Sequence, residues 1–211
     1  MALEREVKLM LDQEGWARVR RWAVAEGALI QEAEQTNHYF DTDSLGLAEQ
    51  KLMLRLREKG GAWEATFKVK LKGGPEALGQ ESVEVNEAID AAQARALLSG
   101  QAPLLDSGLE PVQALRRRAQ ERGVSLDGLR PIGAMTTLRA KIHSPSRRWV
   151  MELDHSRFFG QEDHELECEA DDLEAALAEV SGLLDELGVE HHPSASSKSG
   201  RFVAALQASR A

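Results

Sequence analysis

The first segment of the chain carries acidic side chains at a spacing that suits a metal ion. Residues 3–11 read L-E-R-E-V-K-L-M-L. Side chains in a strand alternate between two faces, so Glu4, Glu6 and Lys8 would share one face. Carboxylates two residues apart lie about 7 Å apart and repel each other unless a positive charge lies between them. Mg²⁺ or Mn²⁺ would meet this need, because both prefer carboxylate oxygens.

Charged faces of this kind recur along the chain. Strand alternation places further acids on such faces, which are Glu84, Glu152, Asp154, Glu165, Glu167 and Glu169. The bases on these faces are Lys8, Arg55, Arg57, Lys68, Lys70, Arg139 and Lys141. A basic set in an acidic chain indicates an anionic ligand, and seven bases exceed what one carboxylate or phosphate needs. A polyphosphate would use them, with a divalent metal on the acids to neutralise charge as a P–O bond breaks.

Each charged face taken singly has a simpler explanation, which is an amphipathic strand with its charged side in water. His38, His191 and His192 show no zinc-type spacing with cysteine and are expected at the surface. The chain lacks the Gly-x-x-x-x-Gly-Lys frame of a phosphate-binding loop and the Gly-x-Ser-x-Gly elbow of a serine hydrolase. A functional interpretation therefore rests on the joint pattern.

The elements that must position these residues are short segments of period two. Predicted strands cover residues 3–11, 36–41, 52–58, 63–72, 81–86, 135–143, 147–154 and 164–170. Gly60-Gly61 predicts a hairpin turn, and residues 73–79 predict a loop. Eight strands suit a closed barrel. Helical periodicity covers residues 12–28, 87–98, 111–122, 172–187 and part of 194–208.

Two α+β architectures fit this pattern. One is an antiparallel sheet with helices on its apolar face and its charged face in water. The other is an eight-stranded antiparallel barrel with helices outside and charges lining the interior. A dry charged interior would be costly, whereas a wet interior holding a charged ligand and its metal is reasonable. We expect the barrel, as a single domain over residues 1–211 with a helical insert at about 87–130 and C-terminal helices at about 172–208.

Composition narrows the class of protein. The chain has 211 residues and a formal net charge of −9, which argues against binding to nucleic acid or to anionic membranes. Cys168 is the single cysteine, so no internal disulfide can form and a cytoplasmic location is expected. No signal peptide and no apolar run long enough to span a bilayer is seen.

The motifs occur in an order that resembles the CYTH domain superfamily, the triphosphate tunnel metalloenzymes. Glu4-x-Glu6-x-Lys8 is similar to the opening signature of that family. The later matches are Tyr39-Phe40-Asp41-Thr42, Leu54-Arg55-Leu56-Arg57, Thr66-Phe67-Lys68, Arg139-x-Lys141, Glu152-x-Asp154, Glu165-x-Glu167-x-Glu169 and Ser197-Lys198-Ser199. One such motif is weak evidence, but this many in order cover nearly the whole chain.

The resemblance implies a tunnel that binds a small-molecule triphosphate together with Mg²⁺ or Mn²⁺. It implies that the phosphates contact Lys8, Arg55, Arg57, Lys68, Arg139, Lys141 and Lys198, and that the metal contacts Glu4, Glu6, Glu152, Glu165 and Glu167. Asp154 and Glu169 lie on the same strands as alternative ligands. Glu4, Glu6 and Lys8 are the expected catalytic group. The implied reaction is metal-dependent hydrolysis of inorganic triphosphate.

Three other functions stay open for the same tunnel. Thiamine triphosphatase and class IV adenylate cyclase activities occur in the family, and a non-catalytic polyphosphate-binding module is a further alternative. A cyclase must bind a nucleoside, and no adenine-recognition motif is evident in a chain with 5% aromatic residues. A binding module would not need both an acidic and a basic set, which favours an enzyme.

Overall fold

The computed structural model describes residues 2–72 and 80–210. Nine strands are formed within these ranges: β1 Ala2–Leu11, β2 Leu29–Asp41, β3 Leu52–Lys59, β4 Ala62–Lys72, β5 Gln80–Ile89, β6 Arg130–His143, β7 Val150–Phe158, β8 Gln161–Glu169 and β9 His191–Pro193. The predicted loop at 73–79 lies outside the described residues.

The strands form one antiparallel sheet that closes on itself. Its order is β5-β4-β3-β2-β6-β7-β8-β1-β9, and an additional β5–β1 pairing joins the first and the eighth strand of this order, which closes β1 to β8 into a barrel. The predicted α+β class with an eight-stranded barrel is confirmed, and the open-sheet alternative is wrong. The short β9 pairs only with the end of β1, from Leu9 to Leu11.

Six α-helices accompany the strands in the described part of the chain. They are α1 Gln13–Ala25, α2 Gly46–Glu49, α3 Ala91–Leu98, α4 Glu110–Arg122, α5 Leu173–Glu186 and α6 Lys198–Arg210. Aspartates at 12, 90 and 172 cap α1, α3 and α5 by accepting backbone N–H bonds, which explains where these helices begin. No helix in the described ranges combines the length and the apolar character that crossing a bilayer requires.

Several predicted boundaries differ from the structure. β7 ends and β8 begins at the two-residue turn Phe159-Gly160, in which both residues have positive φ (48° and 75°). Both strands are longer than predicted. β2 begins at Leu29 instead of 36. The prediction missed its first part because residues 31–35 (Q-E-A-E-Q) are polar on both faces apart from Ala33 and show no apolar alternation. Residues 87–89 belong to β5, and the helix predicted there begins only after the Asp90 cap.

The chain divides into two compact units, and each has its own apolar core. The first contains residues 35–70 and 82–135 with the N-terminus up to Leu3, and the second contains residues 4–34, 71–81 and 136–211. The single domain over 1–211 stays a prediction. In the second unit, the apolar faces of β1, β6, β7 and β8 pack against α1 and α5; examples are Leu9, Ile142, Leu153, Leu166, Val19 and Val180.

The first unit is built in the same way. Leu54, Leu56 and Phe67, from β3 and β4, are buried against Leu97 of α3 and Leu115 of α4. Burial of these side chains stabilises each unit by roughly 1.5–3 kcal/mol per large apolar residue. Since alternate residues point to opposite faces, the charged residues of each strand lie on the face turned away from the helices.

Candidate functional site

In the second unit, register aligns charged residues of four neighbouring strands into rows. Lys141 of β6 is opposite Glu152 of β7, Glu152 is opposite Glu167 of β8, and Glu167 is opposite Lys8 of β1. A second row runs from Arg139 through Asp154 to Glu165. Directly opposite side chains in adjacent strands lie close enough to interact, so each base has an acid as its neighbour.

Arg139 connects the two rows. Its Nε donates to Asp154 Oδ1 at 2.7 Å, its Nη2 donates to Glu167 Oε2 at 3.0 Å, and its Nη1 contacts Glu152. The guanidinium side chain is only 12% exposed, so these contacts are shielded from solvent. A planar fork with five donors suits several carboxylates at once, and it would equally suit phosphate oxygens.

Lys198 reaches the same acids from the first turn of α6. Its Nζ lies 2.6 Å from Glu165 Oε1 and 3.6 Å from Glu167 Oε1, and it also contacts Asp154. On β1, Lys8 Nζ contacts Glu167 and lies 3.2 Å from Glu6 Oε1. Three predicted phosphate-binding residues (Lys8, Arg139 and Lys198) are thus brought together around three buried acids.

Arg201 is a member of the cluster that the sequence analysis missed. It lies one turn after Lys198 on α6, where its Nε donates to Asp163 Oδ2 at 2.5 Å and its Nη2 donates to Glu165 Oε2 at 2.5 Å. The signal that could have found it is the i, i+3 spacing within K-S-G-R, which places both bases on one face of a helix. Asp154, treated only as an alternative ligand, is fully buried at the centre of the cluster.

The cluster shifts the pKa values of Asp154, Glu167 and Lys8 toward their charged forms. Burial raises the pKa values of Asp154 and Glu167, but nearby Lys198 and Arg139 outweigh it, so both carboxyl groups have lowered pKa values, that of Glu167 well below its usual range. Burial lowers the pKa of Lys8, while Glu167, Glu6 and Glu165 raise it to a net value well above normal. Positive and negative charges therefore compensate each other where water is largely excluded.

The acidic centre fits a hard divalent cation. Asp154, Glu165 and Glu167 each offer one oxygen, and these oxygens all lie within 4.8 Å of one another. Oε1 of Glu165 is buried and lies 2.6 Å from Lys198 Nζ, so a bound cation would take the place of that ammonium group as its counter-charge. All three donors are of the oxygen type that Mg²⁺ and Mn²⁺ prefer.

The remaining predicted residues of this unit lie at the edge of the cluster. Glu6 is half-buried and is opposite the exposed Glu169, and Glu4 is half-buried two residues earlier on the same face of β1. Glu152 Oε1 forms an ion pair with Lys141 Nζ at 3.2 Å, and the Lys141 side chain is 40% exposed. These groups are accessible to a ligand that enters from solvent.

The first unit carries the other predicted phosphate-binding residues on β3 and β4. Lys68 Nζ lies 2.7 Å from Glu84 Oε1, and Arg57 Nε donates to Asn37 Oδ1 at 2.9 Å. Nε of Arg55 is buried and has no hydrogen-bond partner in the described ranges. Burial raises the pKa of Glu84, but Lys68 and Arg55 lower it to a net value below normal. Arg55, Arg57 and Lys68 therefore share this face with two acids, Glu84 and Glu64, and Glu64 is directly opposite Arg57.

Comparison with known proteins places the chain in a family. The CYTH domain matches residues 2–199. A protein of Bacillus subtilis, YjbK, which is provisionally named a triphosphatase, is 28% identical over 156 residues, covering 74% of this chain and 72% of its own.

Solved structures agree on the fold. HpAC1 from Hippeastrum, provisionally called an adenylyl cyclase and described as having a dominant triphosphatase activity, superposes with a TM-score of 0.80 at 22% identity over 95% of each chain. A protein of Bacillus halodurans provisionally named an adenylate cyclase has a TM-score of 0.71 at 27% identity, covering 96% of this chain and 99% of its own. The CYTH domain match over residues 2–199 covers nearly the full length of the chain, and the motifs and the barrel agree with it. The chain therefore belongs to the CYTH domain family.

Proposed function

We propose that this protein hydrolyses inorganic triphosphate in a reaction that depends on Mg²⁺ or Mn²⁺. The observation that carries the proposal is the buried cluster in which Lys8, Arg139 and Lys198 lie against Asp154, Glu165 and Glu167. Such a cluster contains the two sets of groups that triphosphate hydrolysis needs, which are cations for phosphate oxygens and acids for a metal. The triphosphatase name of the Bacillus subtilis relative supports the same activity.

The acids proposed to hold the metal are Glu4, Glu6, Glu152, Glu165 and Glu167, with Asp154 added because of its central position. When bound, the cation would neutralise phosphate oxygens and stabilise the charge that develops as the P–O bond breaks. It would also replace the bases as the counter-charge of the acids. Lys8, Arg139 and Lys198 would then be free to donate to the phosphate oxygens, so we expect metal and triphosphate each to favour binding of the other.

The chemical step would be attack of water on a terminal phosphorus. The bridging P–O bond breaks, and the products are orthophosphate and pyrophosphate. Glu6, half-buried and 3.2 Å from Lys8 Nζ, would orient the water together with Glu4, while Lys8 would donate to a phosphate oxygen. The cationic set stabilises the transition state because its donors are already positioned before the charge develops. Arg55, Arg57, Lys68 and Lys141 stay predicted phosphate-binding residues on the family resemblance.

A second candidate is adenylate cyclase activity, because the Bacillus halodurans relative carries that provisional name. Thiamine triphosphatase activity is a further alternative within the family. A non-catalytic polyphosphate-binding function would need only the basic set, so the acids Asp154, Glu165 and Glu167 beside it favour an enzyme. The cytoplasmic location stays a prediction from the single cysteine.

A panel of substrates tests the proposal. Purified protein is incubated with inorganic triphosphate, thiamine triphosphate or ATP, each with Mg²⁺, with Mn²⁺ or with EDTA, and the products are separated by ion exchange. We expect orthophosphate and pyrophosphate from inorganic triphosphate at the highest kcat/KM, and no product with EDTA. Faster release from thiamine triphosphate, or cyclic AMP from ATP, would assign the alternative function. Triphosphate that binds but is never hydrolysed would indicate a binding module.

A further inference from the structure

The β7–β8 hairpin carries a second cluster of metal-type ligands, on its other face. His155 of β7 is directly opposite His164 of β8, and Glu162 lies two residues before His164 on the same face. Strand alternation turns these side chains away from Asp154 and Glu165 and toward α1. Trp16 of α1 packs on both imidazole rings, with centroid distances of 5.6 Å to His155 and 6.1 Å to His164.

The ligand atoms of this cluster already lie close together. One atom from each of His155, Glu162 and His164 falls within 4.8 Å of the others, and His155 Nε2 is 3.2 Å from Glu162 Oε2. A tetrahedral Zn²⁺ with ligands at about 2.1 Å needs ligand atoms about 3.4 Å apart. The His155–Glu162 pair therefore has nearly the required spacing. Coordination would need rotations of the exposed Glu162 and half-buried His155 side chains that bring the other ligand atoms closer.

His164 gives an independent indication of a ligand site at this position. The residue is only 7% exposed, and its Nε2 is buried without a hydrogen-bond partner among the described residues. A buried nitrogen of this kind is destabilising unless a donor, an acceptor or a metal satisfies it. Stacking on His155, with ring centroids 4.5 Å apart, does not supply a partner for an in-plane lone pair or N–H.

We propose that His155, Glu162 and His164 form a binding site for Zn²⁺. This site is separate from the acidic cluster of Asp154, Glu165 and Glu167. Two imidazoles and one carboxylate are a zinc-type donor set, and a water would take the fourth position. The acidic cluster offers only oxygens and favours harder ions, so the two faces of the hairpin differ in the metal they select. Because the ligands come from both strands, the bound ion would link β7 to β8 and stabilise the hairpin.

Calorimetric titration with Zn²⁺ tests the proposal. Untagged protein is titrated in the presence of excess Mg²⁺, which would compete with Zn²⁺ for the acidic cluster that we propose to bind Mg²⁺ or Mn²⁺. We expect one Zn²⁺ per chain, and a rise in melting temperature when Zn²⁺ is present in excess. His155→Ala should weaken Zn²⁺ binding by at least about tenfold, since a ligand is lost. His192→Ala is the matched control, because it removes an exposed imidazole outside the cluster and should bind Zn²⁺ normally.

Glu162→Gln provides a second variant that cannot be dismissed as unfolded, since this side chain is 50% exposed. It should also weaken Zn²⁺ binding, whereas Glu167→Gln, in the acidic cluster, should leave this binding event intact. Equal Zn²⁺ affinity in the wild type, His155→Ala and Glu162→Gln would overturn the proposal. Loss of the same binding event in Glu167→Gln alone would overturn it too, by assigning the zinc to the acidic cluster.

Discussion

Substitution of Lys198 by Gln should change metal and triphosphate affinity in opposite directions. In the structure the ammonium group neutralises the acids, with Nζ 2.6 Å from Glu165 Oε1 and in contact with Asp154. Its removal leaves the acidic centre more negative, which favours a divalent cation. The same removal takes away a donor that we propose binds phosphate, which disfavours triphosphate.

The magnitudes follow from charge and distance. A unit charge about 5 Å from a divalent ion interacts by roughly 7 kcal/mol at an effective dielectric constant of about 20, which is an upper limit because Lys198 can move away when the ion binds. We expect about 1–2 kcal/mol of this, so the Kd for Mg²⁺ should fall about 5- to 30-fold. Loss of one charge-assisted hydrogen bond, about 1.5–3 kcal/mol, should raise the Kd for triphosphate about 10- to 150-fold.

Two calorimetric titrations measure these affinities separately: Mg²⁺ without phosphate, and triphosphate with EDTA present so that hydrolysis is not expected. Arg210→Gln is the matched control, because it removes the same charge from the exposed end of the same helix and should change neither Kd. Circular dichroism confirms that each variant is folded. A weaker Mg²⁺ affinity in Lys198→Gln would refute the reasoning, since it would mean that the lysine positions the acids instead of competing with the metal.

Three further predictions test other parts of the site. Glu6→Gln should abolish turnover and leave the melting temperature nearly unchanged, because it removes a proposed metal oxygen but keeps the side-chain shape; a large loss of melting temperature would indicate a structural role. Arg57→Ala should weaken triphosphate binding by about 1.5–3 kcal/mol, and unchanged affinity in a calorimetric titration would remove it from the site. Burial raises the pKa of the Cys168 thiol to about 11, so only about one thiol in a thousand is ionised at pH 8. Its reaction with a disulfide reagent should be slow in native protein, accelerate as pH rises toward 11 and be fast in guanidinium, whereas fast native labelling at pH 8 would contradict the burial.

Alternation predicted the charged faces because it is a local property. Each of β1, β3, β6, β7 and β8 shows period-two patterning in the sequence, and the register in the structure then places Lys8 opposite Glu167 and Arg139 opposite Asp154. The sequence could not supply that register. It depends on turns such as Phe159-Gly160, whose positive φ at a non-glycine residue has no reliable local signal.

The features that were missed all depend on contacts between distant segments. Arg201 joins the cluster only because α6 brings its first turns to the acids of β8. His155 and His164 look unrelated in sequence and become neighbours through the β7–β8 pairing. Asp154 was predicted only as an alternative ligand. Its central position depends on contacts with Arg139 of another strand and Lys198 of a helix, which its own strand does not reveal.

The most direct test of the proposed function is phosphate release from inorganic triphosphate by purified, metal-stripped protein. We predict no release in EDTA, restoration of release by Mg²⁺ or Mn²⁺, and loss of the restored activity in Glu167→Gln, which removes one charged oxygen from the buried acidic centre. Release that is the same with EDTA and with metal, or no release under any of these conditions, would contradict the proposal.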